Sequence, residues 1–335
     1  MTVLVTGGAG YIGSHMVQAL VDAGESVVVL DDLSTGFPAF VAKGVPLVIG
    51  DAGEETLVEG VIESHRVESI IHFAGSVVVP DSMREPLAYY RNNTMTTRNL
   101  LNAAVKFGVS RFILSSTAAV YGNPDQVPVS EDAPTRPLSP YGSSKLMSEI
   151  MLHDVASAHG MNYVALRYFN VAGADPMARI GLATIGATHL LKIAVEAATG
   201  QRARVEVFGT DYPTKDGSCI RDFIHVSDLA EAHRAALGYL RAGGKPATLN
   251  CGYGRGYSVI ETIEAVRRVS GKNFAVQYAD RRPGDIMTMV ADTSRMRALL
   301  DWTPRYDDLD TIAAHALAWE KKLLVDRQNE RAIPA

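Results

Sequence analysis

Residues 6–14 read Thr-Gly-Gly-Ala-Gly-Tyr-Ile-Gly-Ser, directly after the apolar run Val3-Leu4-Val5 and just ahead of Ile12, Met16 and Leu20 at four-residue spacing. That spacing describes one face of a helix, and Gly24 stands where the helix would end. A strand, a glycine turn and a helix in immediate succession leave few folds open, and they are the context such a glycine motif needs. Gly7 allows the tight turn, Gly10 lets main chain approach a pyrophosphate, and Gly13 lets helix and strand pack closely. The pyrophosphate would sit on the helix N-terminus, where Tyr11, Ile12 and Gly13 offer N–H groups and the helix dipole is positive.

Short β-branched runs recur at 26–31, 45–49, 68–73, 110–116 and 163–168, in addition to 2–6. They are continuously apolar, as strands buried on both faces should be. Amphipathic stretches at 54–64, 82–107 and 140–159 lie among them. Strand–helix alternation of this kind predicts parallel pairing with right-handed crossovers, an α/β Rossmann-type doubly wound sheet. Beyond about residue 170 the pattern loosens into long Gly/Asp/Pro-rich segments at 171–184 and 209–222, with helices expected at 185–199, 227–242, 258–270 and 310–324. The expected organisation is a cofactor domain over 1–172 and a smaller C-terminal α/β substrate lobe over 173–335, with strand exchange between them possible. A length of 335 residues supports two such lobes.

The charge balance, 32 basic against 37 acidic residues for a net −5, argues against a nucleic-acid or anionic-membrane surface. A small-molecule partner is expected instead. Cys219 and Cys251 are the two cysteines, which implies no disulfide framework. No leader pattern and no membrane-length apolar run stand out, so a reducing cytoplasm is expected.

Asp31 closes the second expected strand, 18 residues beyond Gly13. A carboxylate there accepts hydrogen bonds from the hydroxyls of an adenosine ribose. Asp32 beside it, with no arginine near, would repel a 2′-phosphate, so the cofactor is expected to be NAD and not NADP. Asp51 with Ala52, and Phe73-Ala74-Gly75, end the third and fourth strands on the sheet edge where adenine and ribose would lie.

Residues 139–145 read Ser-Pro-Tyr-Gly-Ser-Ser-Lys. Pro140 suits a first helical turn, which puts Tyr141 and Lys145 at i and i+4, within about 6 Å of each other. A free tyrosine, with a pKa near about 10, is a poor base at neutral pH. A close ammonium and a positive nicotinamide are expected to lower that value, so that Tyr141 takes a proton from a sugar hydroxyl as hydride leaves. Thr117 ends a strand carrying three hydroxyls, Ser115-Ser116-Thr117, where ligands of parallel sheets bind, and could relay the same proton.

At this point the chain resembles the extended short-chain dehydrogenase/reductase family, and within it the nucleotide-sugar 4-epimerases, over nearly its full length. The most specific stretch is Asp211-Tyr212-Pro213-Thr214-Lys215-Asp216-Gly217-Ser218-Cys219-Ile220-Arg221-Asp222-Phe223-Ile224-His225-Val226-Ser227-Asp228-Leu229. Arg167-Tyr168-Phe169-Asn170 and Arg281-Arg282-Pro283-Gly284-Asp285 are similar to the family's nucleotide-sugar segments. The resemblance implies that Asn170, Arg221 and Arg282 hold a diphosphate, that Asp285 holds the uridine ribose, and that Phe208 lies near the uracil. It adds Asn92, Ser115 and Tyr168 to the NAD contacts, and Leu190, Val259 and Met289 to the UDP-sugar contacts. The implied reaction interconverts UDP-glucose and UDP-galactose: hydride leaves C4 for NAD, the 4-keto sugar turns about its link to the diphosphate, and hydride returns to the other face. Other UDP-sugars, of xylose, arabinose or N-acetylhexosamine, are the alternative substrates. Val77 stands where the family often has lysine, and His189-Leu190-Leu191-Lys192 replaces a stretch that usually carries a proline.

Sugar-nucleotide dehydratases carry an acidic pair directly after the threonine, whereas this chain has Ala118 and Ala119. Non-catalytic NAD sensors lose the tyrosine or the lysine, and both are present. His72, His225 and His233 show no ligand spacing, so no metal is expected. The resemblance further implies a homodimer formed through the 82–107 and 140–159 helices.

Overall fold

A computed structural model describes residues 2–282 and 284–332. Pro283 and residues 333–335 of the expected second lobe lie outside the described residues. In chain order the elements begin β1 (Thr2–Thr6), α1 (Tyr11–Asp22), β2 (Ser26–Asp31), β3 (Leu47–Ile49), α2 (Glu55–His65) and β4 (Val67–His72). There follow α3 (Val79–Arg84), α4 (Pro86–Tyr89), a π-helical turn (Tyr90–Met95), α5 (Thr96–Lys106), β5 (Arg111–Thr117), α6 (Pro140–His159) and β6 (Asn162–Tyr168). The chain continues with β7 (Asn170–Ala172), α7 (Leu190–Ala198), β8 (Arg204–Phe208), β9 (Ile220–His225), α8 (Val226–Arg241) and β10 (Ala247–Cys251). It closes with β11 (Gly256–Ser258), α9 (Val259–Ser270), β12 (Ala275–Ala279), β13 (Thr288–Met289), α10 (Ser294–Leu299) and α11 (Leu309–Ala332).

Two compact units divide these elements. The first holds residues up to 168 together with 230–251 and 292–303. Its core is a seven-stranded sheet in the order β3-β2-β1-β4-β5-β6-β10. Every pairing in it is parallel. Such strands must be apolar on both faces, and Val3, Leu4, Val5, Val28, Ile70, Ile71, Phe112 and Leu114 are accordingly buried. Strand order reverses between β1 and β4, which opens a crevice at the carboxyl ends of these strands. The seventh strand, absent from the sequence reading, comes from residues 247–251 and pairs in register with β6 from Ala247↔Val164 to Cys251↔Tyr168.

The second unit takes 169–229, 252–291 and 304 onwards. There β9 is flanked by β11, β13 and β7, β8 pairs with β12, and α7, α9 and α11 pack together. The expected loop at 209–222 ends inside β9, and the one at 171–184 begins inside β7.

The expected single helix over 82–107 is broken. Pro86 opens α4, and the residue before it, Glu85, leaves helical geometry at φ −125° and ψ 60°. A proline disfavours the helical region for its predecessor, which is the physical reason for the break. The π-helical turn then widens the chain before α5 resumes.

Candidate active site

The glycine turn of the first unit leaves no room for side chains. Gly7 has φ +70°, and a β-carbon on it would lie 2.6 Å from the Ala74 nitrogen. A β-carbon on Gly13 would come even closer to the Gly7 carbonyl oxygen, at 2.0 Å. Gly10 is the N-cap of α1 and makes no side-chain cap hydrogen bond, and such a helix N-terminus favours an anion. Asp31 is buried at the end of β2, where Oδ2 accepts the Ala9 N–H at 2.8 Å and Oδ1 the Leu33 N–H at 2.9 Å. A carboxylate has about four lone-pair sites, so each oxygen retains capacity for a ribose hydroxyl. Asp32 is exposed and binds its own loop through the Ser34 N–H (2.9 Å) and hydroxyl (2.6 Å). Asp51 accepts the Gly53 N–H at 2.7 Å, Ala52 beside it is buried, and the Phe73 ring lies 4.8 Å from that of His233. The glycine turn, the helix end and the Asp31 carboxylate are the chemistry a dinucleotide cradle needs.

Ser115, Ser116 and Thr117 are all buried at the end of β5. Thr117 caps the short 3₁₀ turn Ala118–Tyr121, its hydroxyl accepting the Ala119 N–H at 3.1 Å. Helix α6 starts as read, with Ser139 capping the Gly142 N–H at 3.2 Å and proline in the first turn. A β-carbon on Gly142 would lie 2.7 Å from the Ala119 carbonyl oxygen. This close backbone approach brings Tyr141 up to Thr117, close enough for the Thr117 hydroxyl to favour the ionised phenol. Tyr89, whose hydroxyl donates to the Val78 carbonyl at 2.6 Å, stands edge-on to the Tyr141 ring at 6.4 Å.

In the chain alone, burial pushes the Tyr141 phenol above its usual value, and the Thr117 hydroxyl offsets this in part. The Lys145 ammonium lies at Gly75, 3.5 Å from where a β-carbon would stand. Burial lowers the Lys145 pKa to about 8, with Glu149 opposing. In the chain alone desolvation outweighs the i, i+4 relationship, because a charged phenolate would lose its water.

Three groups near this site were missed in the sequence. Asn93, from the π-helical turn, accepts the Ser76 N–H at 2.8 Å and donates to the Ser76 carbonyl at 3.0 Å and the Ser144 hydroxyl at 2.9 Å. Its neighbour Asn92 donates to the Ser76 hydroxyl at 3.0 Å. Two asparagines inside an expected helix, where they are poor formers, were the available signal. His72 bridges the Thr6 hydroxyl at 2.7 Å and the Thr97 hydroxyl at 3.1 Å, and burial lowers its pKa to about 3. The third is Glu149, which pairs with Arg167 at 2.6 Å in the interior. Arg167 is therefore a buried structural group, although its segment was read as a nucleotide-sugar contact. Tyr168, next along β6, is buried with its ring 5.6 Å from that of His233. Burial holds its phenol well above the usual range. Val77 is 55 % exposed.

In the second unit the Arg282 guanidinium stacks 4.4 Å over the Phe208 ring and pairs with Asp285 at 3.1 Å, so these three residues form one cluster. Arg281 repeats the pattern over Tyr212 at 4.0 Å, with Asp211 at 2.7 Å. Arg221 and Met289 are register partners on β9 and β13, and Asn170 on β7 pairs with Phe223 of β9. Arg221 is half-buried and donates to the Ile220 carbonyl at 2.9 Å, while Met289 is buried. Val259 and Leu190 are the first residues of α9 and α7, and the Val259 N–H donates to the Cys219 carbonyl at 3.0 Å. Beside Arg221, Asp222 accepts the N–H groups of Tyr253 and Gly254 at 2.9 Å and of Ala291 at 3.2 Å, which ties β9 to its neighbours.

Among the described residues, no three His, Cys, Asp or Glu side chains gather to hold a metal, and no helix is long and apolar enough to cross a membrane.

The UDP-glucose 4-epimerase of Azospirillum brasilense is 55% identical over 321 residues, 96% of this chain and 92% of its own length. The crystal structure of UDP-glucose 4-epimerase from Brucella ovis in complex with NAD matches with a TM-score of 0.92 at 41% identity, covering 95% of this chain and 97% of that one. The UDP-Glc/GlcNAc 4-epimerase from Campylobacter jejuni matches with a TM-score of 0.85 at 44% identity, over 96% of this chain and 99% of that one. Residues 3–252 match one family along the whole cofactor sheet, and the chain belongs to it: the NAD dependent epimerase/dehydratase family.

Proposed function

We propose that this chain interconverts UDP-glucose and UDP-galactose by inverting the sugar's C4. The observation that carries the reading is the packing of the α6 start against the end of β5, which sets Tyr141 beside Thr117 with the Lys145 ammonium one helical turn on. When bound, NAD supplies a reversible hydride acceptor for C4, which gives a transient 4-keto sugar. Gly7, Gly10, Gly13 and the first turn of α1 would hold its pyrophosphate, and Asp31 would take its adenosine ribose. Asp51, Ala52 and Phe73 flank the adenine side, while Asn92, Ser115, Tyr168 and Lys145 border the other end. Tyr141 takes the proton of the C4 hydroxyl and Thr117 relays it; the same pair returns it after the sugar has turned. A positive nicotinamide adds a charge the chain lacks, favouring the phenolate that burial alone disfavours.

The second unit supplies nucleotide recognition. Arg282, Arg221 and Asn170 bind the diphosphate, Asp285 the uridine ribose and Phe208 the uracil. Leu190, Val259 and Met289 complete the wall. Arginine suits this task because its planar fork gives paired hydrogen bonds to phosphate oxygens. Ala118 and Ala119, in the place of an acidic pair, disfavour elimination chemistry. The relatives named for UDP-glucose and the one named for UDP-Glc/GlcNAc support a UDP-hexose substrate.

A homodimer is part of the proposal. Leu101, Val105, Met151 and Val155 line a groove on α5 and α6, and Met147 and Ile150 are exposed on α6. A second copy would cover this apolar stripe.

Incubating the purified protein with UDP-galactose, without added NAD, and assaying UDP-glucose tests the function. Formation of UDP-glucose without added nucleotide is expected. A requirement for NADP, or formation of a deoxy-sugar, would overturn the reading. Sedimentation of wild type and of Ile150→Glu tests the dimer, which the charge should dissociate.

A further inference from the structure

One turn of α6 beyond Lys145, the Glu149 carboxylate is buried and takes donors from two strands. The Ser116 hydroxyl on β5 donates to it. Arg167 on β6 donates through Nε to Oε1 at 3.0 Å and through Nη2 to Oε2 at 2.6 Å, a forked pairing. Arg167 Nη1 donates in turn to the Tyr121 hydroxyl at 2.9 Å, with the guanidinium 4.9 Å from the Tyr121 ring. The Tyr121 hydroxyl donates to Asn250 Oδ1 at 2.6 Å, and Asn250 donates to the Val129 carbonyl at 2.8 Å. All of these groups belong to the first unit.

A buried ion pair is weak evidence for stability, because desolvating two charges offsets most of their attraction. This one instead joins two strands to the helix that carries the proton-handling residues. Ser116 immediately precedes Thr117, and Glu149 follows Lys145 by four residues on the same helix face. We propose that Glu149 is a positioning residue for C4 chemistry: braced by Arg167 and Ser116, it registers the Thr117 strand end against α6 and sets the charge that Lys145 experiences. The proposal rests on the roles given above to Thr117, Tyr141 and Lys145.

The titratable groups on the elements around Lys145 are His72 from β4, Tyr89 from α4, Tyr141 and Glu149 from α6, and Arg167 from β6. Burial holds His72 neutral and both phenols protonated. Glu149, held by Arg167, is the charged group that favours the Lys145 ammonium. Neutralising Glu149 removes the one charge that favours the ammonium and drives the Lys145 proton off at lower pH. A lysine whose folded pKa lies below its unfolded value makes stability rise with pH between the two, since the unfolded chain binds more protons there. In Glu149→Gln that rise begins at a lower pH.

The test measures kcat and KM for UDP-galactose from pH 6 to 10, and the melting temperature over the same range, for wild type, Glu149→Gln, Glu149→Asp and Lys145→Met. In Glu149→Gln the alkaline fall of kcat is expected to move acidward by about one pH unit. Its kcat at neutral pH should drop about tenfold at nearly unchanged KM. The pH at which its melting temperature starts to rise should move the same way. Glu149→Asp keeps the charge and should restore the midpoint. Wild-type and Glu149→Gln profiles with one midpoint overturn the proposal, as does an equal shift in Glu149→Asp. Should Glu149→Gln fail to fold, Ser116→Ala carries the test: a fall in kcat at constant KM supports the bracing role, and an unchanged kcat overturns it. A Lys145→Met protein with wild-type kcat places the failure in the assigned reaction roles and not in Glu149.

Discussion

Gly13 sits so close to Gly7 that any side chain at 13 would collide with the Gly7 carbonyl oxygen, 2.0 Å from an ideal β-carbon. The obstacle is main chain at the turn leaving β1, so α1 itself must move. Gly13→Ala is expected to cost at least the roughly 1–3 kcal/mol of ordinary overpacking and to yield protein without bound nucleotide. Urea midpoints and the absorbance of the purified protein check both. Gly60→Ala is the control: a β-carbon there meets nothing within 4 Å in the middle of α2, so it should stabilise by about 0.5–1 kcal/mol.

Tyr141→Phe removes the hydroxyl that faces Thr117 and leaves the ring packed against Tyr89. Loss of a general base is worth roughly 10²–10⁴-fold, so kcat should fall by that factor. Affinity for UDP-sugars, measured calorimetrically, should persist, since the contacts proposed for the uridine and diphosphate do not include this hydroxyl. Wild-type turnover in this variant would remove Tyr141 from the chemistry.

Met289 is buried beside Arg221, and an unbranched thioether can repack around a guest. Good activity on UDP-glucose and UDP-galactose is expected, with weak activity on UDP-N-acetylglucosamine. Met289→Gly should raise the N-acetyl reaction, and Met289→Tyr should abolish it while sparing the plain hexose. Steric discrimination in a soft pocket is worth about 1–3 kcal/mol, so the kcat/KM ratio should move by tens to hundreds. One shared ratio across the three proteins would mean that residue 289 is simply core.

His72 links two threonines as a neutral ring, and burial has lowered its pKa to about 3. Because the folded value lies below the unfolded one, near about 6.5, the unfolded chain takes up the proton first as pH falls. The contribution is fully present above that unfolded value and is lost progressively toward pH 3. Between pH 7 and 5 this single group should remove about 2 kcal/mol of stability. Urea titrations at both pH values check it: His72→Gln, though less stable at pH 7, should lose less on acidification.

Legibility in the sequence followed locality. Helix α6 runs over 140–159 as read, because a serine–proline start and Gly160 at its end are signals written within the element. The glycine turn and Asp31 were equally plain, since each needs only its neighbours in the chain. β10 was not, because Ala-Thr-Leu-Asn-Cys is a strand only by virtue of lying against β6, more than eighty residues away. Asn93 escaped because a π-helical turn leaves no periodicity to follow. The desolvation of the Tyr141 phenol was not legible for a related reason: spacing gives proximity, whereas desolvation depends on everything packed around the phenol.

The seventh strand has a temporal consequence. A ribosome releases this chain from residue 1 onward, and six strands of the first sheet are complete once Tyr168 has emerged. β6 then presents a bare edge, and Tyr121 lacks its Asn250 acceptor, until some eighty further residues have been made. Nascent chains are vulnerable at such edges. Chains halted near residue 230 should therefore be cut by protease within this sheet, whereas chains extended past residue 303 should resist, which makes synthesis of the second unit's first segment a waiting period for the first.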